Sequence, residues 1–238
     1  LIETKNFNIA FNDNPVLTDI NIKIPQGKFT VILGHSGSGK SVLTKSIIGL
    51  FRHFTGEIKL DDSIIDYNNN QEVYKLRKRV GMLFQSGALF DSMDVYQNIA
   101  FPLFEHSKMK ESDIEKRVSQ LLDQVNLPNI ANKYPAELSG GMKRRVALAR
   151  AISMEPDYLI YDEPTTGLDP VTSKGIVKLI ANLHTAVIKS TCVITHDFLS
   201  FADLCQFLIV LDKGKCLFSG NYSPDIIKRQ DIRPLVNM

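Results

Sequence analysis

With 238 residues, 44% of them hydrophobic and 23% charged, the chain has the balance of an ordinary globular domain and the length for a sizeable core. Its 28 Lys and Arg against 26 Asp and Glu leave a net charge of +2, which excludes the basic footprint of a nucleic-acid binder. No apolar run approaches the length of a membrane span and no charged-then-apolar leader is visible, so work at a membrane is expected to go through a partner.

Leu1–Ile9 and Leu17–Ile24 read as strands separated by the turn cluster Asn12-Asp13-Asn14-Pro15. After Pro25-Gln26-Gly27, a third strand, Lys28–Leu33, runs into Gly34-His35-Ser36-Gly37-Ser38-Gly39-Lys40-Ser41, and an apolar-periodic helix follows from Val42 to Leu50. Gly56–Leu60 and Ser63–Ile65 suggest a small hairpin turning at Asp61-Asp62. Gln71–Arg79 reads as a short helix whose Lys75, Arg77, Lys78 and Arg79 form a solvated face, and Val80–Phe84 as another buried strand.

From Ser86 to Glu155 helical periodicity dominates, and the stretch reads as a helical subdomain inserted in an α/β core. Ser112, with Glu115 three residues on, marks a capping box, and Ile114, Val118, Leu121, Leu122 and Val125 then share one helical face. Leu127-Pro128 ends that helix; Ser139-Gly140-Gly141 opens another that runs through Met154 to Pro156. The alternation then resumes: strand Tyr158–Tyr161, helix Pro170–Ile188 with Ile176, Ile180, Leu183 and Val187 inward, strand Thr191–Thr195, short helix Asp197–Asp203, and strands Phe207–Leu211 and Lys215–Phe218 about Lys213-Gly214. Such alternation predicts a largely parallel sheet covered by helices. Cys192, Cys205 and Cys216 lack metal-ligand spacing and are expected to be reduced, mostly buried thiols of a cytosolic protein.

Gly34–Ser41 fits G-x-x-x-x-G-K-[ST], with a strand before it and a helix after it. Glycines let backbone N–H groups converge on phosphate oxygens without an intervening Cβ, and the helix N-terminus adds unpaired donors and a positive dipole end. Lys40 is expected to reach the β/γ-phosphates and the Ser41 hydroxyl to hold Mg²⁺. Tyr158-Leu159-Ile160-Tyr161-Asp162-Glu163 is a buried strand ending in two carboxylates, one suited to Mg²⁺ (Asp162) and one to orienting an attacking water (Glu163). Leu138-Ser139-Gly140-Gly141-Met142 is a second glycine-rich helix N-terminus and so a second potential anion site.

Together these motifs make the chain resemble the nucleotide-binding subunit of an ABC transporter over almost its whole length. The resemblance implies a P-loop NTPase core of the ABC ATPase type, with an antiparallel β subdomain and an inserted helical subdomain. It implies a single ABC ATPase domain over 1–238, with the core from 1–85 and 156–238 and the helical subdomain from 86–155. Carried over residue by residue, Phe11 matches the aromatic residue that stacks on adenine, although Asn12 replaces the usual glycine after it. Gly34, His35, Ser36, Gly37, Ser38, Gly39, Lys40 and Ser41 match Walker A, with Val42 where a second hydroxyl residue is common. Gln85 matches the Q-loop glutamine that links Mg²⁺ and water to the transmembrane partner, and Asp162 and Glu163 match the Walker B pair. Ser139, Gly140 and Gly141 match the signature that caps the γ-phosphate of the other subunit, with Met142 replacing the usual glutamine. Gly167-Leu168-Asp169 matches the D-loop and His196 the switch histidine.

Leu83-Phe84-Gln85-Ser86-Gly87-Ala88-Leu89-Phe90-Asp91-Ser92-Met93, Phe101-Pro102-Leu103 and the Met142 signature resemble the ATPases of the Mla/Mkl group, which serve MCE-type lipid transporters. That likeness implies ATP and Mg²⁺ as ligands, a homodimer sandwiching two ATPs, and a place on the cytoplasmic side of the inner membrane. It further implies integral-membrane permease subunits, an MCE-type lipid-binding protein in the same complex, no nucleic acid, and phospholipid or a related lipid as cargo. The apolar Ala88-Leu89-Phe90 is then the expected permease contact. Rival readings are an ABC importer for an amino acid or another small solute, and a soluble ABC ATPase for DNA repair or ribosome work. A P-loop kinase would leave Ser139-Gly140-Gly141 and His196 unexplained.

Overall fold

A computed structural model describes residues 1–236. In chain order these form β1 (Ile2–Phe11), β2 (Asn14–Ile24), β3 (Phe29–Leu33), α1 (Lys40–Ile47), β4 (Phe54–Leu60), β5 (Ser63–Ile64), α2 (Asn70–Arg79) and β6 (Val80–Leu83). Helices α3 (Val95–His106), α4 (Glu111–Gln124) and α5 (Gly140–Ile152) follow, with no strand between β6 and β7 (Tyr158–Asp162). The chain continues through α6 (Pro170–Ala186), β8 (Ser190–Thr195), β9 (Phe207–Asp212), β10 (Lys215–Asn221) and α7 (Arg233–Val236).

A four-stranded antiparallel sheet has the order β2-β1-β4-β5, and a six-stranded sheet has the order β10-β9-β3-β8-β7-β6. The second is parallel from β9 to β6, with β10 antiparallel at its edge. Its central strands β3, β8 and β7 are buried along their whole length because both faces are covered. In β3, Phe29, Val31 and Leu33 enter the core built with α3–α6, whereas Ile32 enters the core built with α1, α2 and the antiparallel sheet. In β7, Leu159 and Tyr161 face the first core and Tyr158 and Ile160 the second.

Several expectations needed correction. The hairpin between β1 and β2 turns on Asn12 (φ 48) and Asp13 (φ 61) alone, and Pro15 belongs to β2. β2 lies at a sheet edge, where a missing N–H leaves no ladder partner unbonded. Helix α1 begins at Lys40, two residues before the apolar period, and stops short of Leu50 where the backbone turns through Gly49 (φ 71). Ser112 does not cap α4: Lys110 stands at the N-cap, its carbonyl accepting from Asp113 N and Ile114 N, and Glu111 and Asp113 complement the dipole from the first turn. The capping box instead opens α3, where Asp94 accepts from Gln97 N at 2.7 Å and the Gln97 side chain from Asp94 N at 3.0 Å. The basic face of α2 is engaged in bonds: Arg77 donates to Ile48 O and Gly49 O at the end of α1, and Arg79 bridges Asp61 and Asp157. Asp197–Asp203 contains only a 3₁₀ turn, Leu199–Phe201. Cys192 and Cys205 are buried free thiols, as read, and Cys216 is half-buried.

Candidate active site

The order β3-β8-β7-β6 sets four loops side by side at the C-terminal edge of the parallel sheet, the side on which such sheets bind ligands. Register pairs Leu33 with Thr195, Ile194 with Asp162 and Tyr161 with Leu83. Gly34, His196, Glu163 and Gln85 therefore leave neighbouring strands at the same level.

The phosphate loop needs the last of its glycines, Gly39. Gly39 has φ +98 and caps α1, and a Cβ there would stand 2.4 Å from Leu17 Cδ2. Lys40 is only 6% exposed. Its Nζ donates to Gly34 O at 2.7 Å and His35 O at 2.9 Å and lies 3.8 Å from Glu163 Oε1. Burial holds its pKa below the ordinary lysine value, with Glu163 and Asp162 acting the other way. Ser38 Oγ is buried within the loop with no hydrogen-bond partner among the described residues. A phosphate oxygen or a water would satisfy that hydroxyl.

Ser41 Oγ donates to Asp162 Oδ1 at 2.7 Å. Burial pushes the Asp162 carboxyl above the usual carboxylate range, against the Ser41 hydrogen bond and Lys45. This hydroxyl–carboxylate pair beside the phosphate loop is the sparse, hard-oxygen donor set that suits Mg²⁺, which takes its remaining oxygens from phosphates and water. No cluster of three or more His, Cys, Asp or Glu able to hold a metal occurs among the described residues.

Glu163 sits in the left-handed region at φ 48, with its N–H donating to Ile194 O at 3.0 Å. A carboxylate residue in that conformation carries backbone strain of about 1–3 kcal/mol, held by the neighbouring strand and the side-chain bonds. Its Oε2 lies 2.8 Å from His196 Nδ1 and accepts from Thr166 Oγ1 at 3.0 Å. A carboxylate so held, beside the Lys40 ammonium, can orient and polarise a water.

His35, Ser36, Gly37, Gly39, Lys40, Ser41, Val42, Gln85, Glu163 and His196 line one cleft of 590 Å³. Val16 and Thr166 line it too, and sequence reading missed both. A hydroxyl three residues after Glu163 was a visible signal for Thr166; an isolated valine offered none for Val16. Phe11 does not line this cleft: its ring packs edge-on against Phe51 and His53 at centroid distances of 5.1 and 5.0 Å. The signature lies apart from it, at the start of α5, where Ser139 Oγ accepts from Met142 N at 3.3 Å. A Cβ on Gly141 would stand 2.6 Å from Thr172 Cγ2 of α6, and one on Gly140 3.6 Å from Leu168 Cδ2. Asp169 is the N-cap of α6, accepting from Val171 N and Thr172 N at 3.0 Å, and Gly167 turns at φ 79 before it.

The chain is similar to known proteins over most of its length. Residues 17–166 match the family model described as ABC transporter. The intermembrane phospholipid transport system ATP-binding protein MlaF of Haemophilus influenzae is 40% identical over 233 residues, 98% of this chain and 88% of that protein. MlaF of Escherichia coli is 41% identical over 93% of this chain and 82% of its own length. A protein of Mycobacterium leprae named probable ribonucleotide transport ATP-binding protein mkl is 42% identical over 82% of this chain, which spans 56% of it. Among solved structures, cbiO1 of Clostridium perfringens, part of an ABC transporter complex, superposes with a TM-score of 0.85 at 32% identity, covering 98% of this chain and 92% of that one. A dimeric ATP-binding cassette in a post-hydrolysis state with ADP and Pi superposes with a TM-score of 0.83 at 29% identity, covering 93% of this chain and 98% of that one.

Proposed function

The chain belongs to the ABC transporter family and is an ATP-hydrolysing cassette, and on that premise we propose that it powers the movement of phospholipid or a related lipid between membranes. The observation that carries the hydrolytic part is the cleft lined by Lys40, Ser41, Glu163 and His196, with Asp162 hydrogen-bonded to Ser41 beside it. The lipid part is supported by the near full-length match to MlaF. The ribonucleotide named for mkl is the rival cargo, and the chain matches only part of that protein.

In this reading the loop N–H groups of Gly34–Ser41 and the Lys40 ammonium bind the phosphates. Ser41, Asp162 and Gln85 would hold Mg²⁺, which would neutralise phosphate charge. Glu163 takes the proton of the attacking water, and His196 and Thr166 hold its carboxylate in place. Phe11, at the end of β1 and outside the phosphate cleft, is the surface offered to an adenine ring that extends beyond that cleft. Two copies meet head to tail, with Ser139, Gly140, Gly141 and Met142 of one closing on the phosphates bound by the other, and Gly167, Leu168 and Asp169 meeting across the same seam. Residues 86–155 act as the helical subdomain and 1–85 with 156–238 as the core of one ABC ATPase domain. No helix among the described residues is long and apolar enough to cross a membrane. In this reading, which rests on the match to MlaF, the cassette works peripherally, through permease subunits and an MCE-type lipid-binding protein, on the cytoplasmic side of the inner membrane.

We place the permease contact on a second cleft of 740 Å³ whose lining includes Leu50, Tyr74, Phe84, Phe90, Phe101 and Met154. Phe90 is 43% exposed, packs on Phe101 at 5.2 Å and has the Arg150 guanidinium 5.5 Å from its ring. Leu89 packs against the core, so Phe90 alone is the clean probe of docking. Phe90→Ser should lose the permease in co-purification while keeping ATP binding and melting temperature, since burying a Phe contributes about 1.5–3 kcal/mol. Intact co-purification rejects the docking site. Reconstituted complex that hydrolyses ATP without moving labelled phospholipid between vesicles, while moving a nucleotide, rejects the lipid cargo.

A further inference from the structure

Arg144 of α5 is 7% exposed, the most deeply buried arginine among the described residues. It pairs with no carboxylate there; its guanidinium is held by backbone carbonyls alone. Nη1 donates to Phe84 O at 3.1 Å and to Gln85 O, and Nη2 to Thr166 O at 3.3 Å. Burial pulls its pKa down from the ordinary arginine value, which still leaves the group charged.

A buried cation without a counter-ion is tolerated only while its donors are satisfied, and each donor left unmet costs the desolvation of a charged group. Arg144 and its acceptors must therefore keep together. Phe84 and Gln85 begin the loop that carries the docking residues Ala88–Phe90. Thr166 belongs to the loop of Glu163, to whose Oε2 its hydroxyl donates at 3.0 Å. The same face of α5 grips the docking loop again one and two turns on. A Cβ at Gly87 would lie 3.3 Å from Ala147 Cβ, and Arg150 Nη2 donates to Gly87 O at 2.9 Å and Ala88 O at 2.8 Å. Those contacts hold the docking loop to the helix. The Arg144 guanidinium also reaches the catalytic loop.

We infer that Arg144 is a positioning residue that ties the docking loop to the loop carrying Glu163, so that displacement of residues 84–88 by a docked permease reaches the hydrolytic carboxylate instead of being absorbed at Gly87. This rests on the docking site proposed above, and the test separates the two.

The experiment uses the complex purified with its permease subunits and compares wild type, Arg144→Gln, Arg144→Lys and Phe90→Ser. Arg144→Gln should lower kcat in the complex by about 5–150-fold, the usual range of coupling between sites, with KM for ATP nearly unchanged. The isolated subunit's basal rate should fall far less, so permease stimulation is what is lost. Arg144→Lys, which keeps a charged donor, should recover part of it. Deuterium uptake over residues 163–168 should respond to permease binding in wild type and not in Arg144→Gln. Stimulation within about twofold of wild type, or an unchanged exchange response, overturns the inference. A fall in the isolated subunit matching that in the complex, with a lowered melting temperature, also overturns it, since a merely structural role predicts that pattern. If Arg144→Gln does not fold, the exchange response of Arg144→Lys decides: a response equal to wild type overturns the inference, and a weakened one supports it. Retention of the permease by Phe90→Ser refutes the docking site, whatever Arg144 does.

Discussion

Glu163→Gln isolates the carboxylate proposed as the base with the least change of shape. In the structure one carboxylate oxygen is shared by His196 Nδ1 at 2.8 Å and Thr166 Oγ1 at 3.0 Å, and the other lies 3.8 Å from Lys40 Nζ. The amide keeps an oxygen for the first pair and the same backbone at φ 48, so the strained turn is undisturbed. It loses the basic oxygen and the ion pair with Lys40. Loss of the pair and relief of a buried charge oppose each other, so the melting temperature should move by no more than about 4 °C, the equivalent of roughly 1 kcal/mol in a chain of this size. General-base catalysis contributes about 10²–10⁴-fold, or about 2.7–5.4 kcal/mol of barrier. The assay is steady-state ATPase of the assembled complex, beside binding of a fluorescent ATP analogue and size-exclusion chromatography with ATP. Turnover should fall by at least about a hundredfold while ATP binding persists and a dimer accumulates. Turnover above about a tenth of wild type would refute the assignment of Glu163 as the base.

The other predictions follow from the same cleft. Lys40→Ala removes a buried donor from Gly34 O and His35 O and should abolish ATPase activity and weaken nucleotide binding; isothermal titration with ATP and turnover of the complex check both. Asp162→Asn should stabilise the nucleotide-free protein at neutral pH. Burial raises the folded-state pKa of this carboxyl, so it favours folding at low pH, and that contribution is lost as pH rises through the raised value. The gain in melting temperature should therefore vanish below about pH 3.9, where the unfolded carboxyl is also neutral, and Mg²⁺-dependent ATP binding should be lost. Gly39→Val should unfold or disable the phosphate loop, because its Cβ would stand 2.4 Å from Leu17 Cδ2 at a φ of +98; a variant with unchanged melting temperature and ATP affinity would contradict that geometry.

Much of the candidate site was legible in short stretches. Gly34–Ser41, Asp162-Glu163 and Ser139-Gly140-Gly141 each pair a local backbone requirement with a chemical one, and both are written in contiguous residues. Phe11 was legible as a family match, yet its ring lies on Phe51 and His53, outside the cleft that the phosphate loop lines. Thr166 was missed because a threonine in a turn is ordinary. Arg144 was missed because an arginine on a helix reads as solvent-facing; its burial depends on Phe84, Gln85 and Thr166 converging from other loops. Arg77 and Arg79 misled in the same way, since their partners at Ile48, Gly49, Asp61 and Asp157 are distant in sequence.

By itself the sequence determined most of the strands and longer helices, the phosphate-loop motif and the paired carboxylates, because the periodicity of apolar residues and the demands of a tight glycine turn are local. Tertiary structure alone decided that β8 lies between β3 and β7 and so brings His196 to Glu163. The strands Phe29–Leu33, Tyr158–Asp162 and Ser190–Thr195 are buried along their whole length. A strand apolar on both faces shows that it is central but carries no pattern naming its neighbours. Those neighbours were settled by how α1–α6 and the antiparallel sheet share the two faces between them, and the active-site geometry follows from that order.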